Sequence, residues 1–339
     1  MSCGCEISTA AAVSKEDVSL TLPKVETYTV EHLARYFPQT ETVSNPLAQR
    51  SWPEAKNFVA HDEKSLSSVV LNAYKDKGIK EPIVCKKAGP AESIYFRPEE
   101  VRAAIVTCGG LCPGLNTVIR ELVMALTFSY GVKQIYGVPN GYRGFYEESL
   151  RPLDKETVST IHRWGGTILG TTRGGFDKQR ICDAIAEKKL NQIYIIGGDG
   201  THRGAQLIGE ELIRRGIRAA VVAIPKTIDN DIPITDKSFG FDTAVSEAVH
   251  PINCAHTEAR AAPNGIGLVK LMGRQSGFIA MNASLASRDV NLCIIPEAPW
   301  TLQNVCKFLE ERFKKSDHAV IVVAEGASCP EMHIDANGK

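Results

Sequence analysis

From Val101 onward, short apolar runs rich in β-branched residues alternate with longer stretches whose apolar residues recur every three or four positions. A short continuous apolar run suits a strand buried on both faces, and the stretches between suit helices laid over those faces. The pattern therefore predicts βαβ units around parallel sheets. It predicts strands over Ala103–Thr107, Gln134–Val138, Gln192–Ile196, Ala219–Ile224, Gly267–Leu271, Leu292–Ile295 and Ala319–Ala324. Helices are expected over Thr117–Tyr130, Thr157–Trp164, Lys178–Leu190, Thr201–Arg215, Asp242–Glu258, Ser276–Ser287 and Thr301–Lys315.

The 339 residues suffice for two compact domains. Residues 1–95 lack the periodicity and read as an irregular N-terminal extension, with short helices expected around Val30–Tyr36 and Ser65–Tyr74. A seam near Ser238–Phe241, ahead of a long helix, divides the rest into α/β domains of residues 96–240 and 241–339. The expected class is α/β, with two Rossmann-like parallel-sheet domains. Only 15 residues follow the run Ala319–Ala324, with no helix to cover it, so the second domain reads as incomplete and the chain as C-terminally shortened.

Thirty-nine basic residues balance thirty-nine acidic ones, which leaves no global field to draw nucleic acid or an anionic membrane. No apolar run approaches the roughly 18 residues of a membrane span. The ten cysteines form no CxxC pair and no zinc spacing, as expected of reduced thiols in the cytoplasm. The opening MSCGCEISTAAAVSKEDVSL carries neither a signal-peptide core nor the arginines of a transit peptide.

In open parallel sheets, ligands sit outside the carboxyl ends of the strands, and here those loops are unusual. Gly109-Gly110-Leu111-Cys112-Pro113-Gly114-Leu115-Asn116 joins a strand to a helix, where glycines let the backbone approach a phosphate and free N–H groups supply donors. In Gly197-Gly198-Asp199-Gly200-Thr201 a carboxylate lies at the mouth of an anion site, so Asp199 reads as a Mg²⁺-directed ligand or, alternatively, as a helix cap. In Pro225-Lys226-Thr227-Ile228-Asp229-Asn230-Asp231 the two aspartates are two apart and share a side of an extended segment. With Lys226 and Thr227 beside them they suit proton abstraction next to a bound phosphate; an Asx-rich turn is the other reading. Arg173 ends a Gly/Thr loop of residues 165–173 and could clamp phosphoryl oxygens or pair with a surface carboxylate. Three such loops, without a Walker A or GxGxxG sequence, point to phosphoryl transfer without a P-loop. His250 and His256 read as structural, and Asn282-Ala283-Ser284 lies in a helical stretch. Cys108 and Cys112 flank the first loop, where oxidation could perturb it, although buried thiols are the plainer reading.

In this order, GGLCPGLNTVIR, GYRGF, GGTILGTTR, GGDGT, PKTIDND, GFDTA and MGRQSGFIA resemble the motifs of 6-phosphofructokinases. Their wording and the long leader are similar to the plant ATP-dependent forms, over about residues 95–326. GGDGT alone would also suit NAD and lipid kinases. The resemblance implies the phosphofructokinase fold and glycolytic transfer of the γ-phosphoryl of ATP, with Mg²⁺, to the 1-hydroxyl of fructose 6-phosphate, giving fructose 1,6-bisphosphate and ADP. It implies Asp229 as the base, Asp199 as the Mg²⁺ ligand, and Arg173 and Thr227 as further catalytic groups. Gly110, Tyr142, Arg173, Gly198, Gly200, Thr201 and Lys226 would surround the nucleotide and its phosphates. Thr227 and Asp231 would position the sugar and the reacting phosphoryl, with Met272, Gly273, Arg274 and Glu325 on the sugar side. Gly200 favours ATP, because pyrophosphate-dependent relatives tend to carry Asp there, whereas Lys226 is shared with many of them. The resemblance further implies a cytoplasmic, allosteric homo-oligomer, expected to be a tetramer. Bacterial members carry an arginine seven residues before the MGR methionine; here that position is Gly265, so the sugar phosphate must be recognised differently. The readings are an ATP-dependent enzyme, a catalytically impaired shortened isoform that binds nucleotide or intact subunits, and a pyrophosphate-dependent enzyme.

Overall fold

The computed structural model describes residues 32–49, 58–60, 63–66, 84–232 and 235–329. Among the described residues the N-terminal part holds short elements, including helix α1 (Leu33–Tyr36) and strands β1 (Val43–Ser44), β2 (Lys64–Leu66), β3 (Val84–Lys86) and β4 (Ser93–Ile94). β1 pairs with β4 and β2 with β3, both antiparallel. The helix expected from Val30 is α1, with residues 30 and 31 outside the described set. The helix expected from Ser65 is not there at its start: Ser65 and Leu66 lie in β2, opposite Cys85 and Val84, and residues 67–74 lie outside the described set.

The periodic part follows as β5 (Arg102–Thr107), α2 (Leu115–Met124), β6 (Gln134–Val138), α3 (Gly144–Glu147), β7 (Arg151–Pro152), α4 (Lys155–Val158), α5 (Lys178–Glu187), β8 (Gln192–Gly197), α6 (Asp199–Arg214) and β9 (Ala220–Pro225). Then come α7 (Phe241–Arg260), β10 (Gly265–Leu271), α8 (Phe278–Ser287), β11 (Leu292–Ile294), α9 (Leu302–Phe313) and β12 (His318–Ala324). All seven strands expected from periodicity are present, most within a residue or two of their predicted ends. The helix expected over Thr157–Trp164 is not continuous: it is the single turn α4 and a 3₁₀ turn over Ile161–Arg163. Asp154 caps α4, accepting from the Thr157 N–H at 2.7 Å, and so fixes an earlier start than the apolar spacing suggested. The helix expected to reach Tyr130 passes at Ala125 into a π-helical turn over Ala125–Ser129.

Two sheets result. The first has the order β7-β6-β5-β8-β9, parallel except for the short edge strand β7. Its central strand β5 is wholly buried from Ala103 to Thr107, as a strand with both faces covered must be. From β5 the chain turns to β6 on one side, and β8 and β9 lie on the other. The strand order thus reverses between β5 and β8, the place where the carboxyl-terminal loops of open parallel sheets part to form a ligand crevice. The second sheet, β10-β12-β11, is all parallel. Ile252 of α7 and Ile279, Ala280 and Ala283 of α8 pack with Val269, Val320 and Val322 on one of its faces. α9 buries none of its residues, and Leu268 remains 66% exposed on the sheet.

Candidate active site

The loop after β5 is fixed to the loop that carries Arg173. The Gly109 N–H donates to the Thr172 carbonyl at 3.1 Å, and the Thr171 hydroxyl donates to the Gly109 carbonyl at 2.8 Å. A Cβ on Gly110 would lie 3.8 Å from the Arg173 guanidinium, so these two residues face each other. Among the described residues Arg173 forms no ion pair, and its side chain is exposed. Gly114 and Gly240 adopt left-handed conformations at the starts of α2 and α7, and a Cβ on Gly240 would lie 2.5 Å from the Cys112 sulfur. The Cys112 thiol donates to the Phe239 carbonyl at 3.3 Å, which joins the first loop to the segment entering α7. Burial pushes the Cys108 and Cys112 thiols up to about 12 and about 11, so they are poor nucleophiles at neutral pH.

The loop after β8 opens α6. Asp199 lies in the first helical turn, where a carboxylate complements the helix dipole. Its side chain is 91% exposed and stands 3.7 Å from Arg203. A Cβ on Gly200 would meet nothing within 4 Å, so there is open space beside Asp199. Tyr142 is buried beneath the helix start and donates its phenol proton to the Thr201 carbonyl at 2.7 Å; burial pushes its ionisation up. Tyr142 and Phe176 meet edge to face at 5.3 Å, closing the space beside Gly204. Among the described residues no three His, Cys, Asp or Glu side chains converge on a cation site. One exposed carboxylate beside open space fits Mg²⁺, which keeps several waters and is completed by substrate phosphates rather than by an all-protein cage.

The loop after β9 adjoins the one after β8 at its root, where the Lys226 N–H donates to the Gly197 carbonyl at 2.9 Å. A Cβ on Gly198 would lie 3.5 Å from the Lys226 carbonyl oxygen. Lys226 is buried, and that burial lowers its ammonium, with Cys112, Cys108 and Arg173 within electrostatic range. The Thr227 hydroxyl donates to Asp231 at 2.5 Å and accepts from the Asp229 N–H at 3.2 Å. One Asp229 oxygen, Oδ2, accepts from the Arg274 N–H at 3.4 Å, while the other, Oδ1, is buried without a hydrogen-bond partner. Burial raises the Asp229 carboxyl, and the carboxylates of Asp231 and Glu325 add to the rise.

The second sheet supplies the facing wall. The Met272-Gly273-Arg274 turn after β10 and the Glu325-Gly326 turn after β12 are neighbours, with the Gly326 N–H donating to the Gly273 carbonyl at 2.9 Å. Met272, Arg274 and Glu325 are exposed there. The sequence-predicted residues therefore form two groups: Gly110, Tyr142, Arg173, Gly198, Asp199, Gly200 and Thr201 around β5 and β8, and Thr227, Asp229, Asp231, Met272, Gly273, Arg274 and Glu325 across the two sheets. Lys226 lies between the groups. The Asp199 carboxylate has Arg203 as its neighbour and that of Asp229 has the Arg274 N–H, and their two loops adjoin at the roots, where the Lys226 N–H meets the Gly197 carbonyl. Sequence reasoning missed Ser276 and Ser238, both buried. The Ser276 hydroxyl donates to the Asp229 carbonyl at 3.0 Å, and that of Ser238 to the Thr227 carbonyl at 2.6 Å. Only the position of Ser276 within MGRQSG could have flagged it.

A parallel sheet with Gly- and Asp-rich loops at a reversal of strand order is the arrangement in which α/β proteins as a class bind phosphorylated ligands. A profile of the phosphofructokinase family matches residues 102–337, and the chain belongs to that family. It is 52% identical over 321 residues to ATP-dependent 6-phosphofructokinase 7 of Arabidopsis thaliana, covering 91% of this chain and 65% of that one. To the same organism's ATP-dependent 6-phosphofructokinase 4, chloroplastic, it is 51% identical, covering 88% of this chain and 56% of the relative. To the ATP-dependent 6-phosphofructokinase of Borreliella burgdorferi it is 48% identical, over 84% and 66%. The chain thus spans about two thirds or less of the length of these relatives. Among solved structures, Pichia pastoris phosphofructokinase in the T-state matches with a TM-score of 0.61 and 26% identity, covering 68% of this chain and 26% of that one.

Proposed function

We propose that the chain transfers the γ-phosphoryl of ATP to the 1-hydroxyl of fructose 6-phosphate, with the nucleotide held by residues 96–240 and the sugar phosphate by residues 241–339. The observation that carries this reading is the buried, unpartnered Oδ1 of Asp229, on a carboxyl whose other oxygen is held by the sugar-side turn. The Asp229 carboxylate accepts the proton of the 1-hydroxyl; the sugar oxygen bonds to the γ-phosphorus, the bond to the β–γ bridging oxygen breaks, and ADP leaves. Arg173 and Lys226 offset charge on the transferring phosphoryl. Thr227 holds Asp231 and the Asp229 backbone in place. Asp199 would hold Mg²⁺, which when bound neutralises phosphate charge. The family and the names of its plant relatives support ATP. A cytoplasmic, allosteric assembly of four subunits belongs to the same proposal, and the relatives named chloroplastic speak against the cytoplasmic part of it. No described helix is long and apolar enough to cross a membrane.

Separate calorimetric titrations with ATP–Mg²⁺ and with fructose 6-phosphate, followed by turnover, test the reading. Both ligands bind and turn over if it holds. Nucleotide binding without sugar binding or turnover supports instead an impaired isoform that binds nucleotide or intact subunits. Gly200→Asp tests the pyrophosphate alternative, since the open space there accepts the side chain and its charge opposes the phosphates of ATP. ATP turnover is expected to fall by about tenfold or more while pyrophosphate turnover does not. A wild type that prefers pyrophosphate ends the ATP assignment.

The base must be ionised, so activity falls on the acid side as Asp229 takes up a proton. Because burial and the neighbouring carboxylates raise its carboxyl, that limb lies above the ordinary value of 3.8. Glu325→Gln removes one negative neighbour and moves the limb to lower pH. A kcat profile whose acid limb stays put or rises in this variant counts against Asp229 as the titrating group.

A further inference from the structure

The loop of residues 164–177 is pinned to its surroundings almost along its length. Buried Asn116 donates to the Trp164 carbonyl at 3.0 Å and accepts from the Ile168 N–H at 2.8 Å. Buried Thr107 donates to the Gly170 carbonyl at 2.7 Å. Thr171 and Thr172 donate to the carbonyls of Gly109 and Asn140 at 2.8 and 2.7 Å. Beyond Thr172 the anchoring thins. Arg173 is followed by Gly174 and Gly175, both left-handed with φ of 77° and 71°, and two consecutive glycines leave that backbone free to take up many conformations unless something fixes it.

The fixing contact comes from α3. The Tyr146 hydroxyl donates to the Gly175 carbonyl at 2.8 Å, two residues beyond Arg173. The Tyr146 ring is itself held, because the Arg180 guanidinium stacks 3.8 Å from its centroid. Arg143 closes the other side, its Cγ only 2.2 Å from where a Cβ on Gly175 would stand. Arg173 thus lies between a tight anchor at Thr172 and a single side-chain anchor at Gly175.

We propose that Tyr146 is a positioning residue for Arg173: by fixing the Gly175 carbonyl it sets where the guanidinium reaches over Gly110 toward the phosphates of the nucleotide. The inference rests on the reading of Arg173 as the phosphate clamp. Tyr146 touches no substrate itself, and Arg180 serves by keeping its ring in place.

The test is a double-mutant cycle on the full chain, read by calorimetric binding of ATP–Mg²⁺. Tyr146→Phe keeps the ring and its stacking and removes only the hydrogen bond, so it is expected to weaken binding about 3- to 10-fold. Arg173→Ala is expected to weaken it more, and adding Tyr146→Phe to Arg173→Ala to change nothing further, because the position of an absent guanidinium no longer matters. Amide exchange, which does not depend on activity, is expected to quicken across residues 173–176 in Tyr146→Phe and to stay unchanged in α5. Wild-type binding by Tyr146→Phe, or its full effect persisting in the Arg173→Ala background, overturns the proposal. Arg173→Ala binding like wild type overturns the clamp reading itself and takes the positioning role with it.

Discussion

Asp229→Asn is expected to lower turnover by about 10²–10⁴-fold while leaving ATP–Mg²⁺ binding close to wild type. The substitution keeps the shape of the side chain, and the amide oxygen can still accept from the Arg274 N–H, so the junction between the two sheets survives. What is lost is an oxygen that can carry a proton away from the sugar hydroxyl. Nucleotide binding is spared because Asp229 belongs to the proposed sugar side, and the charged groups acting on it are Asp231, Glu325 and Arg274 rather than Asp199. Calorimetry with ATP–Mg²⁺ and a steady-state assay separate the two effects. An Asn variant that turns over within a few-fold of wild type removes Asp229 from the chemistry.

Gly326→Ala is the second large effect. A Cβ at this position would stand 1.9 Å from the Arg274 carbonyl oxygen and 2.5 Å from its carbon, and both are backbone atoms that cannot swing aside. The same residue ties the two turns together through its N–H to Gly273. Forcing a methyl group in therefore pushes the Met272–Arg274 turn away from Asp229. Overpacking of this kind destabilises by about 1–3 kcal/mol, which lowers the melting temperature by several degrees. Fructose 6-phosphate affinity should fall more than ATP affinity, because the displaced turn belongs to the proposed sugar side. Melting curves and the two titrations test this, and a variant that melts and binds as wild type would show that the turn relaxes freely.

The strands of both sheets were legible because burial on both faces demands unbroken apolar runs, and β5, β8 and β12 meet that demand. The loops were legible as loops because Gly, Asp and Asn at a strand end are the residues of turns and helix caps; it was their conjunction after several strands of one sheet, not any one of them, that marked a candidate site. The failures came where local geometry overrode periodicity. The Asp154 cap and the break after Val158 split a helix that apolar spacing alone would have continued, and the two-residue β7 is too short to have a pattern. Within the site, the contacts that shape it were invisible because they join residues far apart in the chain. Ser276 and Asp229 are 47 positions apart, and Asn116 and Ile168 are 52 apart. Residue type alone marks none of these partners, since serine and asparagine are common on any surface.

Cys112 and Phe239 join the Gly-rich loop after β5 to the start of α7, a helix of 20 residues and about 30 Å that packs on the second sheet and loses one of its own hydrogen bonds at Pro251. Gly240 leaves no slack at that joint, since even a methyl group there would strike the Cys112 sulfur and the Pro113 carbonyl. The loop after β5 and the start of α7 are therefore locked to each other at one corner, so that neither can shift there without displacing the other.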